Sequence, residues 1–524
     1  MDDAARLADA VEERLQPLEV ARSLAWWELN VEASEANERR RVAADLAYAR
    51  AAADRETFAA ILRGHETAGD PRARRRLGVL RDGLLPYQVP EALQERIVEL
   101  EAEIEGRFSR HRAAVRGQQA DDNEIKRILR RSDDPGERRE AWEASKTVGA
   151  AVADDVRELA RLRNDAARSL GYRDWYALSL ATDELDERRL AETLAAADRA
   201  TAEPFARWKR SLDERLAARF HCSEHDLRPW HYADPFFQEV PPAAGVDLDA
   251  LFGETEVVSL AERTLAGLGF DVEPILRRSD LYPRSGKSQH AFCIDVDRAG
   301  DVRILANVVP THGWAETMLH ELGHGIYDAA LGSELPWSLR TTHLVATEAA
   351  AILLGSLAWQ REWLVRVVGL SAADAAELEE RLRLARVAEL LVFTRWVLVM
   401  NGFERALYAN PDGDLDTLWW ELVRRYQLVD PPEGRAAPDW AAKVHIATAP
   451  VYYHTYLYGM IVALQIRAAL EREVGGLVDR PEAGALLRER LFAPGQSLRW
   501  DILVERASGA PLSVASLARE VVTA

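Results

Sequence analysis

Cysteine is nearly absent from the chain. Cys222 and Cys293 are the only two in 524 residues, which excludes a disulfide framework and fits a reducing cytoplasm. A basic surplus is missing as well. Lys and Arg number 67 against 86 Asp and Glu, a formal charge of −19, whereas nucleic acid or an anionic membrane would want a basic face. No apolar run reaches 18 residues, since "AELLVFTRWVLVM" and "YLYGMIVALQI" are short or broken by Arg395. The opening "MDDAARLADAVEERLQ" is acidic and amphipathic, without the basic segment and apolar stretch of a signal peptide. Repeats, low-complexity tracts and long linkers are also lacking. These absences lead us to expect a cytoplasmic protein with no membrane or nucleic-acid partner, most simply a monomer.

What is present is an ordinary globular composition, 48% hydrophobic and 29% charged. At 524 residues the chain exceeds the roughly 250–300 at which a single core stops growing, so two lobes are expected. Residues 1–120 carry apolar residues at helical spacing, as in "VELEAEIEGRF", and predict several long helices. Asp134-Pro135-Gly136 reads as a turn feeding another helix, and Gly171 as its stop. Around 280–310 the texture changes: "LYPRSGKS" is a loop, and "HAFCIDV", "DRAGD" and "VRILANVV" read as strand, turn and strand. This is the one hairpin the pattern supports. Helix then returns to the end, interrupted at "NPDGD" and "DPPEGRAAP". The fold class expected is mainly α.

The stretch "MLHELGHGIYD" concentrates the chemistry. On a helix His320 and His324, four apart, project from one face and can close on one ion. Glu321, about 100° further round, can reach a water on that ion without ligating it. This is the HExxH arrangement of a zinc hydrolase. A catalytic zinc needs a third protein ligand. A metzincin histidine is excluded, because Tyr327 and Ala330 stand where the required Gly and His would be. The alternative is a glutamate on a following helix. "HLVATEAAAILLGSLAW" carries Glu348 as a lone charge in an apolar run, costly to bury without a partner. Glu334 is the rival, in a loop followed shortly by Pro336. A second histidine group, "HCSEH" at 221–225, lacks a flanking ligand cluster and reads as a surface turn.

With these residues in place the sequence resembles the angiotensin-converting-enzyme family of zinc peptidases and, more distantly, the thimet oligopeptidase and oligoendopeptidase F families. The residues carrying the resemblance are the spacing from His324 to Glu348, "QHAFCIDVDRAGDVRI", "WWELVRRYQ" and "AAKVHIATAPVYYHTYLYGMIVALQIRAAL", with the strong similarity over about 285–470. The resemblance implies one zinc ion on His320, His324 and Glu348, with Glu321 as base and His445 and Tyr456 on the scissile carbonyl and oxyanion. It implies that His290 and Ala291 hold substrate backbone. Lys443 and Tyr453, with Tyr452 as the alternative to Tyr453, would grip the peptide's terminal carboxylate.

The sequence departs from the family where Val423 and Thr455 replace chloride-binding arginines and Ile352 replaces a carboxylate. The family's carboxylate-binding glutamine falls near Tyr232. The resemblance further implies a two-lobed helical peptidase with a deep substrate channel and a small hairpin beside the HExxH helix. One unit over 1–524 is expected. It comprises an N-terminal helical lobe (1–120), a helical region completing the lobes (121–284), a zinc-catalytic core (285–470) and C-terminal helices (471–524). Short peptides are the expected partners. The expected activity is release of C-terminal dipeptides, with internal cleavage of short peptides as the alternative and a non-catalytic zinc- or peptide-binding scaffold behind it.

Overall fold

The computed structural model describes residues 3–241, 248–252 and 256–522. Its helices begin where the acid-rich sequence supplies caps. The side chains of Ser34, Asp54, Asp70, Asp134 and Asp186 each accept a backbone N–H in the first turn of the helix they precede, satisfying donors that would otherwise be orphaned. Asp134 opens the helix Pro135–Ser169, and Gly171, at φ +86°, follows its end, as a helix stop requires.

The first four helices are Asp3–Val31, Glu35–Ala52, Arg55–Thr67 and Pro71–Leu84. Ala4, Ala8, Val11 and Leu15 form a stripe at helical spacing and pack with Ile61, Leu77, Leu80 and Leu84 in a small core of their own. A second, larger core runs contiguously through elements from Val89 to Val521. The fold is mainly α, with two small antiparallel hairpins among the described residues. No helix among the described residues is long and apolar enough to cross a membrane.

The first hairpin, β1 (Ala113–Val115) and β2 (Gln118–Ala120), is one the sequence pattern did not disclose. Strands of three residues are too short to show alternation. The signal is the turn, where Arg116 and Gly117 both take positive φ (51° and 75°), as a two-residue hairpin loop demands. The second is the one expected: β3 (Phe292–Asp295) pairs with β4 (Val302–Leu305), Phe292 opposite Leu305 and Asp295 opposite Val302. His290 and Ala291 precede β3 rather than lying in it. Trp26 and Trp27 of the first helix pack on Phe292, ring centroids 4.3 and 6.1 Å apart, so the N-terminal helices reach the hairpin.

Three helices follow from the motifs: the HELGH helix (His312–Ala329), the Glu348 helix (Leu344–Gly355) and the tyrosine helix (Tyr453–Val474). Two glycines let them approach closely. A Cβ at Gly323, inside the HELGH motif, would lie 2.6 Å from Ala351 Cα, and one at Gly459 would lie 2.7 Å from Glu348 Cβ. The helix bearing Glu348 is thus clasped between the other two at backbone distance.

Candidate active site

Thr311 caps the HELGH helix through the N–H of Trp314, and the helical repeat then puts His320 and His324 on one face, ring centroids 5.0 Å apart. The Glu348 helix is capped by His343. Its Nδ1 accepts the N–H of Val345 at 3.2 Å, so its Nε2 carries the proton and donates to the Asp183 carbonyl at 2.8 Å. That cap places Glu348 one turn in, only 2% exposed, with Oε2 3.8 Å from His320 Nε2 and Oε1 3.9 Å from His324 Nε2. Among the described residues these three are the one group of potential metal ligands whose ligand atoms converge, all within 4.8 Å of one another. The rival Glu334 is exposed in a loop.

The electrostatics suit a cation. Burial pushes His320 down to about 4, and burial with His320 beside it pushes His324 well below its usual value. Both imidazoles are therefore neutral, the form that ligates. Burial pushes Glu348 up to about 7, against the Tyr452 hydroxyl that donates to its Oε1 at 2.6 Å. Its Oε2 is buried with no hydrogen-bond partner. Such an orphan acceptor costs on the order of 1–3 kcal/mol, more when charged. A divalent ion held by Glu348, His320 and His324 would remove that cost, and the carboxylate lies 3.8 and 3.9 Å from the two Nε2 atoms, under roughly 4.1 Å, twice a zinc–ligand bond. The residues fit the ion.

Glu321 is 7% exposed and pushed up to about 8, first by burial and then by Glu348, while the N–H of Cys293 on β3 donates to it. Its carboxyl therefore lies between the metal-ligand group and the strand. On the far wall, Tyr456 is held protonated by burial, by Glu348 and by Tyr453, with Glu321 also near. Its ring lies 5.1 Å from that of Tyr452. His445 is neutral through burial, then the neighbouring Lys443 and His290, and its Nδ1 has no hydrogen-bond partner. His290 is exposed, with its ring 6.3 Å from that of His445. Tyr456 thus comes within electrostatic reach of Glu321, and His290 meets His445 from a separate segment.

Lys443 and Tyr453 share a neighbouring corner. Lys443 Nζ lies 5.9 Å from the Tyr453 ring centre and donates to Gln238 Oε1 at 3.0 Å. Tyr453 itself is buried against Trp396 and His445. The two adjacent tyrosines therefore divide, Tyr452 to Glu348 and Tyr453 to the Lys443 side.

Three features escaped the sequence reading. Thr347 Oγ1 lies 2.7 Å from His324 Nδ1, occupying that nitrogen and leaving Nε2 for a metal, a support the apolar Ile352 could not provide. Its signal is adjacency to Glu348, a hydroxyl in an otherwise apolar run. The second is the bond from Tyr452 to Glu348, where the sequence offered Tyr452 only as the alternative to Tyr453 on the substrate carboxylate. The third is Gln238, in the neighbourhood of Tyr232 where the resemblance implied a glutamine. Tyr232 itself is bound to Lys209 and Asp213 in the interior. Gln238, six residues on, meets Lys443, in a loop whose N–H groups at Phe236, Gln238 and Glu239 are gathered by the Asp234 carboxylate. The "HCSEH" segment is a surface turn: His221 closes the helix Glu187–Phe220 in left-handed conformation, and His221 and His225 are exposed.

Comparison with known families points to a metallopeptidase. A family model described as Peptidase family M3 matches residues 275–523, and one described as Angiotensin-converting enzyme matches residues 1–197. The M3 match covers every proposed site residue from His290 to Tyr456. The angiotensin-converting-enzyme match falls on the N-terminal helices, where no motif stood out in the sequence. The chain is thus similar to angiotensin-converting enzyme over residues 1–197 and to peptidase family M3 over residues 275–523, which supports a gluzincin metallopeptidase.

Proposed function

We propose that the chain is a zinc-dependent peptidase of short peptides that releases C-terminal dipeptides. The observation carrying the zinc assignment is the buried Glu348 carboxylate, its Oε2 unpartnered, facing two neutral imidazoles. When bound, zinc supplies a Lewis acid that polarises the scissile carbonyl and makes water nucleophilic near neutral pH. Glu321 takes the attacking water's proton and returns it to the leaving amine. The Tyr456 hydroxyl and a His445 N–H donate to the oxyanion as charge develops there. The outer edge of β3, where the Cys293 N–H already meets Glu321, with His290 and Ala291 at its start, offers backbone pairing to an extended peptide. Both cysteines are free, which supports a cytoplasmic setting.

Thr347 holds His324 in the ring orientation that exposes Nε2. Partners of this kind are worth about 10–100-fold in metal affinity. Thr347→Val is therefore expected to weaken zinc binding by about 10-fold, measured by competition with a chromophoric chelator, with little change in the melting temperature of the metal-free protein.

The exopeptidase reading rests on Lys443 and Gln238 beside Tyr453. An ammonium and an amide on one wall, two residues from His445, suit a terminal carboxylate. An extended residue spans roughly 3.3–3.6 Å, so a clamp so near the carbonyl ligand leaves space for few residues beyond the scissile bond. Charge-assisted hydrogen bonds contribute about 1.5–3 kcal/mol, so C-terminal amidation should lower kcat/KM on the order of 10- to 100-fold. Mass spectrometry of one peptide in both forms checks this. Equal cleavage of both at an internal bond would favour the alternative, an oligoendopeptidase. Support for that alternative is that the M3 match, rather than the angiotensin-converting-enzyme match, covers the catalytic residues.

A further inference from the structure

Between His445 and Tyr456 the chain must leave a short helix, His445–Thr448, and enter the tyrosine helix at Tyr453. It does so through Val451, at φ +58°. A β-branched residue in the left-handed region is a steric outlier and persists only where its surroundings over-determine it. Here they do. On one side Arg163, itself buried, donates to the Ala447 carbonyl at 2.6 Å and pairs with Glu101. On the other, Glu404 Oε1 accepts the N–H of Val451 at 2.7 Å. Glu404 is 1% exposed, and this is the one hydrogen bond to its side chain among the described residues. A buried carboxyl spent on one backbone N–H at the strained residue calls for an explanation beyond packing. The residue immediately following is Tyr452, whose hydroxyl holds Glu348 Oε1.

We infer that Glu404 is a positioning residue for the metal centre: by pinning Val451 in its left-handed conformation it sets the Tyr452–Glu348 hydrogen bond and thereby the orientation of the third ligand. The connection is physically continuous. Glu404 sits on the helix Ala372–Ala409, a rigid element of the main core, and Val451 and Tyr452 are covalent neighbours. Release of Val451 toward ordinary φ would swing the peptide plane that carries Tyr452. Glu348 Oε1 would then lose the donor that fixes it, leaving both of its oxygens unpartnered before metal arrives. The inference rests on the zinc reading of His320, His324 and Glu348.

The test is a double-mutant cycle read as the zinc dissociation constant of metal-stripped protein, by chelator competition, without any peptide substrate. Tyr452→Phe removes the hydrogen bond directly and is expected to weaken zinc binding on the order of 10-fold. Glu404→Leu should weaken it by a similar factor in the wild-type background and by almost nothing in the Tyr452→Phe background, because the contact it acts through is already gone. Adding Val451→Gly to Glu404→Leu should restore most of the loss, since glycine adopts the left-handed conformation without strain. Equal effects of Glu404→Leu in both backgrounds, or none in either, would overturn the inference. If Glu404→Leu does not fold, Glu404→Asp, which withdraws the carboxylate by one methylene, should show a smaller loss with the same dependence on Tyr452, and its absence overturns the inference equally. A wild-type protein that binds no zinc would instead reject the metal reading on which the inference rests.

Discussion

Glu321→Gln is expected to keep zinc and to lose turnover by a factor on the order of 10²–10⁴, the usual worth of a positioned general base. The amide matches the carboxylate in shape and can still accept the N–H of Cys293, so the helix and its histidines should be undisturbed. What it cannot do is take a proton from water. Burial and the nearby Glu348 carboxylate both oppose charge on Glu321, and a divalent ion on the adjacent ligands would restore it. The ionised base and the bound metal are thus expected to appear together. Metal content and kcat/KM on a short peptide are the two measurements. Near-wild-type turnover with zinc present would remove Glu321 from the mechanism.

The second large effect distinguishes two glutamates. Glu348→Ala should abolish stoichiometric zinc, and activity with it, whereas Glu334→Ala should leave both unchanged. Glu348 is buried with one oxygen unpaired and both imidazoles within 4 Å, while Glu334 is exposed in the loop. Removing a ligand should cost more than the roughly 10–100-fold attached to outer partners such as Thr347. Elemental analysis of both purified variants decides the matter. A zinc-free Glu334→Ala protein carrying an intact Glu348 would reverse the assignment.

The parts of this site that were legible in the sequence are local. HELGH is a helical i, i+4 pair with its base beside it, and Glu348 stood out as a charge in an apolar run. The β3–β4 hairpin was visible in its strand-like texture and turn. The parts that were hidden are made by distant segments. Gln238 meets Lys443 across 205 positions, and Tyr452 meets Glu348 across 104. No periodicity or spacing encodes such contacts. Resemblance implied a glutamine near Tyr232, and Gln238, six residues on, lies in an irregular loop that has no helical or strand register to fix its numbering. Thr347 and Gly323 were hidden differently. Each is adjacent to a motif residue, but its purpose, support of His324 Nδ1 or close approach to Ala351, exists only once the helices are stacked.

The central claim, that His320, His324 and Glu348 hold the zinc on which peptide hydrolysis depends, is tested most directly by stripping the protein with a chelator and titrating zinc back against cleavage of one short peptide with a free C-terminus. The account predicts negligible cleavage by the stripped protein, full recovery at about one zinc per chain, and no recovery in Glu348→Ala under the same titration. Undiminished cleavage by the metal-free protein would contradict it.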